Sequence, residues 1–159
     1  MFDFRKLPKT AWRFMKAPRI WYALGLGPVV GRLILLLITT GRKTGRPRVT
    51  PLQYEEHNGV IYVASARGEQ ADWFRNLRAN PRVEVRVKAR RFPGLAEPIT
   101  DPARIADFLE LRLARHPRMM GAMLRGEGLP ARPTRAQLEQ FAAAIAVVAI
   151  QPCEAEPLG

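Results

Sequence analysis

This sequence predicts an α+β fold: about six mainly antiparallel strands closed into a barrel or strongly curved sheet, with helices flanking it. Three observations carry that expectation. Apolar segments of strand length follow one another across short turns; Val83 to Lys88 alternates strictly between apolar and charged residues; and helical segments fall only between the third and fourth strands and before the last. A parallel, doubly wound sheet would instead need a crossover helix at every step.

Leu33 to Thr40 is an apolar run that reads as strand one, and Arg48 to Glu55 as strand two. The turn between them, Gly41 to Pro47, holds three cations, two glycines and a threonine. Asn58-Gly59 is a strong hairpin signal and leads into strand three, Val60 to Ala66, rich in β-branched and aromatic residues. Ala71 to Ala79 reads as a short helix, with Asp72 as its candidate cap, Trp73 and Leu77 on one face, and Asn80-Pro81 as its stop. Strand four is the alternating run to Lys88; strand five covers Arg90 to Ile99, interrupted at Pro93-Gly94.

Asp101-Pro102 has the form of a helix start, a capping side chain followed by proline at the first helical position. Pro117 ends or kinks that helix, and Met119, Met120, Met123 and Leu124 continue at helical spacing to a loop over Gly126 to Pro133. Thr134 to Gln137 has capping-box form and opens a last helix, followed by a closing strand from Ile145 to Gln151. The chain therefore divides into a basic, aromatic N-terminal segment (1–32), one barrel domain (33–152) and a short tail (153–159).

With 26 Lys and Arg against 14 Asp and Glu, the formal charge of +12 calls for an anionic partner. The cations cluster: six lie before residue 20, four in Arg42 to Arg48, and seven from Arg75 to Arg91. No recognised nucleic-acid motif accompanies them, so no specific nucleic acid is expected. Leu7 to Tyr22 sets Trp12, Phe14, Trp21 and Tyr22 among cations. That composition suits either peripheral contact with an anionic membrane or a basic helix packed on the domain. Ile20 to Thr40 is broken by glycines, Pro28 and Arg32, which argues against a spanning helix. Cys153 is the only cysteine, which fits a reducing, cytoplasmic setting, and His57 and His116 read as solvated residues without partners, so no metal site is expected.

The cationic turn can converge backbone N–H groups and positive charge on one anion, so it reads as a phosphate grip or as a solvated hairpin turn. It is not a P-loop: the Gly-x-x-x-x-Gly-Lys spacing is absent and the turn leads into a strand. Taken with two further motifs it becomes more specific. LLLITTGRKTGRPRVTPL, then YVASARG, then DWFRNLRANPRVEVRV resembles, in that order and spacing, the deazaflavin-dependent nitroreductase family of split β-barrel flavin and deazaflavin oxidoreductases. The similarity runs from about Leu33 to Val87.

The resemblance implies binding of 8-hydroxy-5-deazaflavin, coenzyme F(420), with FMN as the alternative anionic cofactor. The matching positions are Arg42, Lys43, Thr44 and Arg48 for the phosphate, Pro51 in strand two, Ala64, Ser65, Ala66, Arg67 and Gly68 at the end of strand three, and Trp73, Asn76 and Leu77 in the short helix. The chain departs from the family pattern at Arg67 and Glu69, at Phe74, and in having no tyrosine after Tyr62. It implies hydride transfer to an electron-poor acceptor such as a quinone or nitro compound. No catalytic residue is assigned; Ser65 is the best-placed polar candidate, with solvent as proton source. The alternative is a non-catalytic member that binds a fatty acid or other lipid, to which a wall of Met119, Met120 and Met123 would be suited. A homodimer is expected by the same resemblance.

Overall fold

The structure, a computed structural model, describes residues 34–65 and 67–153; the N-terminal segment, Ala66 and the end of the tail lie outside the described residues. Six strands form a closed barrel: β1 (Ile34–Thr40), β2 (Pro47–His57), β3 (Val60–Ser65), β4 (Arg82–Val87), β5 (Arg90–Ile99) and β6 (Ala146–Pro152). Their order around the barrel is β1-β2-β3-β6-β5-β4, and every pairing is antiparallel, including the β1–β4 pair that closes it. A 3₁₀ turn (Gly68–Gln70) and helix α1 (Asp72–Ala79) join β3 to β4, while α2 (Pro102–Arg115), α3 (Pro117–Gly126) and α4 (Arg135–Ala142) join β5 to β6. The expected α+β split barrel with flanking helices is the fold observed.

Two cores explain the pattern of side chains. Inside the barrel, Leu35, Leu37, Ile61, Val63, Val83, Val85, Val148 and Ile150 meet Trp73, Phe74 and Leu77 from α1, which plugs one end. Outside it, Val147 and Ala149 of β6 join Ile105, Leu109, Met120, Leu124 and Leu138 of the three C-terminal helices. Strand β6 is thus buried on both faces, the reason it reads as an uninterrupted apolar run. Strand β4 has only one covered face, so it alternates.

The capping expectations hold at two helices. Asp101 Oδ1 accepts from Ala103 N, Pro102 opens α2, and Thr134 with Gln137 forms the full capping box of α4. Three boundaries move for local reasons. Lys88 has φ of +53° and belongs to the β4–β5 turn, so the strand ends at Val87. Asp72 is not a cap: Ala71 occupies that position without a side-chain bond, and Asp72 turns to Arg42 instead. Strand β2 runs on to His57 because the Asn58-Gly59 turn, with φ of +51° and +76°, continues the ladder directly into β3.

Pro93-Gly94 does not interrupt β5. Glu84 pairs with Pro93, Val83 pairs with Gly94, and Pro93 O accepts from Cys153 N. A Cβ on Gly94 would stand 2.6 Å from Ile150 Cγ2 and 3.3 Å from Gln151 O, so the glycine lets β5 cross close over β6.

His57 and His116 are not free solvated residues. His116 Nε2 lies 3.1 Å from Glu55 Oε2, and Arg115 donates to His57 Nδ1 at 3.0 Å and to Glu55 Oε1 at 2.6 Å. Glu55 is buried, and this cluster pins the α2–α3 junction to β2.

Candidate functional site

The β1–β2 turn is ordered by its own backbone. Gly41 N donates to Arg46 O and Gly45 N donates to Gly41 O, both at 2.8 Å, and Arg46 N donates to Thr44 Oγ1 at 3.3 Å. Gly45 has φ of +69°, a conformation glycine adopts without strain. At Gly41 the constraint is space: a Cβ there would meet Thr44 Oγ1 at 2.9 Å and Arg46 O at 3.1 Å.

The short helix α1 holds this turn in place. Asn76, almost fully buried, accepts from Arg42 N at 3.2 Å and from Arg42 Nη1 at 2.9 Å, and donates to Thr39 Oγ1 at 3.3 Å. Arg42 Nη2 completes the clamp with Asp72 Oδ1 at 3.1 Å. Arg42, expected on the phosphate, is therefore already occupied in joining turn to helix. Lys43 and Arg48 are exposed and have no ion pair among the described residues.

Turn, β2 and α1 together enclose an open pocket of about 410 Å³, lined by Gly41, Arg42, Lys43, Thr44, Arg48, Trp73 and Asn76 among others. The anchor Trp73 is 8% exposed: its ring packs into the barrel core, edge-on to Phe74, and also reaches the pocket wall. Six of the thirteen sequence-expected cofactor residues thus converge here: Arg42, Lys43, Thr44, Arg48, Trp73 and Asn76. The N–H groups of Gly41, Arg42, Gly45 and Arg46 are already spent within the protein, so what the site offers is side-chain chemistry, cationic with one hydroxyl at Thr44, and it fits an anionic phosphate.

The remaining positions lie elsewhere. Pro51 is buried on β2 opposite Leu36, and Leu77 is fully buried in the barrel core. Arg67 is exposed, and Gly68 has φ of +57° with a Cβ position 3.3 Å from Ala144 O. Ala66 falls outside the described residues. Ala64 and Ser65 line a second, smaller cavity of about 90 Å³ between the end of β3 and helices α2, α3 and α4. Met123 stands on its wall, whereas Met120 is fully buried in the outer core and Met119 packs against it.

Sequence reasoning did not find Arg112, which lines this second cavity while being 5% exposed. Burial pushes its guanidinium below its ordinary pKa, against the opposing pull of Glu55. The available signal was the Arg112, Arg115, His116 spacing, which places three basic groups at one end of one helix; their acid, Glu55, is more than fifty residues away.

Among the described residues, no group of three or more His, Cys, Asp or Glu is placed to hold a metal ion, and no helix is long and apolar enough to cross a membrane.

Comparison with known proteins agrees with this geometry. The family model described as F(420)H(2)-dependent quinone reductase matches residues 24–121, more than half of the chain. An F(420)H(2)-dependent quinone reductase of Mycobacterium tuberculosis (strain H37Rv) is 40% identical over 68 residues, 41% of this chain and 46% of that protein. The chain thus spans about half the length of the curated relatives it matches. Among solved structures, an F(420)-H(2)-dependent reductase superposes with a TM-score of 0.52 at 24% identity, covering 76% of this chain and 95% of the other. HutZ, the heme storage protein from Vibrio cholerae, reaches 0.55 at 17% identity, covering 80% and 88%. These two show the shared barrel fold. The family implies coenzyme F(420) as cofactor, in agreement with the cationic turn and the ordered motifs that follow it. On the extent of the family match, this chain belongs to the F(420)H(2)-dependent quinone reductase family.

Proposed function

We propose that this protein is a reductase that uses reduced coenzyme F(420) and delivers a hydride to an electron-poor acceptor, a quinone or a nitro compound. The observation that carries the reading is the pair of uncommitted cations, Lys43 and Arg48, which stand with Thr44 on the wall of an open pocket. Lys43 and Arg48 contribute charge-assisted bonds to phosphate oxygens, and Thr44 contributes a hydroxyl. Arg42 and Asn76 act one step back, holding the turn at fixed distance from α1. Trp73 offers a rigid aromatic wall. The bound coenzyme supplies the redox chemistry; the chain's part is to fix its position and exclude water.

The reading extends to a cytoplasmic homodimer, supported by the single cysteine and by Leu36 and Val49, two exposed apolar residues on adjacent strands of the barrel. Light scattering on the purified protein tests the assembly.

Titrating the protein with reduced coenzyme and following its absorbance is the decisive measurement. Saturable, salt-sensitive binding and reduction of a naphthoquinone are expected. Absence of saturable binding, with tight binding of FMN instead, would replace the cofactor assignment.

A further inference from the structure

The open pocket at the β1–β2 turn carries one charge that does not suit an anion. Asp72 is the only acid among the described residues on its wall, set beside Arg42, Lys43 and Arg48. Its Oδ1 accepts from Arg42 Nη2 at 3.1 Å, yet the side chain is 83% exposed, so the carboxylate stands open to solvent at the pocket wall. The fold does not need it there. Ala71 holds the cap position of α1 without a side-chain bond, and Asp72 follows as the first helical residue. Asn76 accepts from both the backbone N and Nη1 of Arg42, so the turn is tied to α1 without the acid.

Little is left for a ligand. The N–H groups of Gly41, Arg42, Gly45 and Arg46 are engaged within the protein, and Asp72 offsets Arg42. Lys43 and Arg48 remain as free cations, with the Thr44 hydroxyl. A phosphodiester, such as that of coenzyme F(420), brings one phosphate charge to this set. A terminal phosphomonoester, such as that of FMN, brings nearly two at neutral pH, because its second pKa is about 6. The cost of taking an ion out of water grows with the square of its charge, whereas attraction to fixed cations grows only in proportion. An acid on the wall lowers that attraction, and it penalises the doubly charged phosphate twice as heavily as the singly charged one.

We propose that Asp72 sets the charge preference of the pocket: it holds down affinity for doubly charged phosphomonoesters and thereby favours the singly charged phosphodiester of coenzyme F(420). The inference rests on the F(420) reading and adds to it the residue that discriminates between the two anionic cofactors.

The test is calorimetric titration of the full chain, at pH 8 and low ionic strength, with coenzyme F(420) and two probes that share its ring. The probes are 8-hydroxy-5-deazaflavin 5′-phosphate and the methyl ester of that phosphate, which differ by one charge. Asp72→Asn is expected to tighten the methyl ester about two- to threefold, the scale of one exposed charge pair. The free phosphate should then tighten by the square of that factor, about four- to ninefold, because its charge is doubled. Asp72→Glu, which keeps the charge, should keep the natural ratio, and about 0.5 M salt should shrink the difference. The proposal is overturned if Asp72→Asn leaves the ratio of the two probes unchanged, if it weakens both equally, as loss of a merely structural partner of Arg42 would, or if Asp72→Glu behaves like Asp72→Asn. Saturable coenzyme binding with an unchanged ratio sinks this inference alone. Absence of saturable binding by the coenzyme and both probes removes the F(420) reading and the inference with it.

Discussion

Arg42 and Asn76 are joined twice: the backbone N and the Nη1 of Arg42 both donate to Asn76 Oδ1, at 3.2 and 2.9 Å. This places a loop cation under the control of a helix thirty-four residues away and makes the turn an extension of α1. Replacing Asn76 by alanine strips an acceptor from two donors and leaves Thr39 without its amide. We expect a stability loss of about 1–3 kcal/mol in urea unfolding and weaker coenzyme binding in the same variant.

Lys43 and Arg48 should behave differently. Neither has an ion pair to lose among the described residues, so Lys43→Ala and Arg48→Ala should leave the melting temperature nearly unchanged. Each should weaken reduced coenzyme on the order of tenfold, consistent with loss of one charge-assisted bond. Coenzyme titrations at low and high salt check this, and the variants should show the shallower salt dependence.

Gly94→Ala should destabilise the barrel through overpacking. Its Cβ would fall 2.6 Å from Ile150 Cγ2, so β5 or β6 must shift, at a cost of about 1–3 kcal/mol. Gly45→Ala, where nothing lies within 4 Å but φ is +69°, separates backbone strain from crowding when both are compared by thermal unfolding.

Acid should weaken the β4–β5 ladder. Arg86, and with it Arg91, holds the Glu84 carboxyl below its ordinary value of 4.5 through hydrogen bonds at 2.8 and 3.2 Å. Because the folded pKa is the lower one, this contribution is present above about pH 4.5 and is lost as pH falls through the folded value. Glu84→Gln should therefore be less stable than the natural protein at neutral pH, with the difference shrinking below pH 4.5, as measured by unfolding across pH 3–7.

Much of the barrel is legible along the chain because its signals are local. The Asn58-Gly59 turn, the alternation in β4 and the Thr134 capping box each need only a few neighbouring residues. Pro93-Gly94 misleads for the opposite reason: its meaning depends on Ile150, which reaches it only after the barrel closes. Arg42 shows the same limit within the site. Its place in a cationic turn suggests a ligand contact, but only folding shows that Asp72 and Asn76 already claim it.

The sequence by itself determined the strand order along the chain, the cationic turn and the three ordered motifs of the family, since spacing and residue type are sufficient for these. Which cations remain available, how Glu55 gathers Arg112, Arg115 and His116, and where Ser65 comes to rest were decided only by the tertiary structure. The reason is physical: a hydrogen bond or ion pair depends on distances of about 3 Å between groups that lie tens of residues apart, and only closure of the barrel with its helices sets those distances.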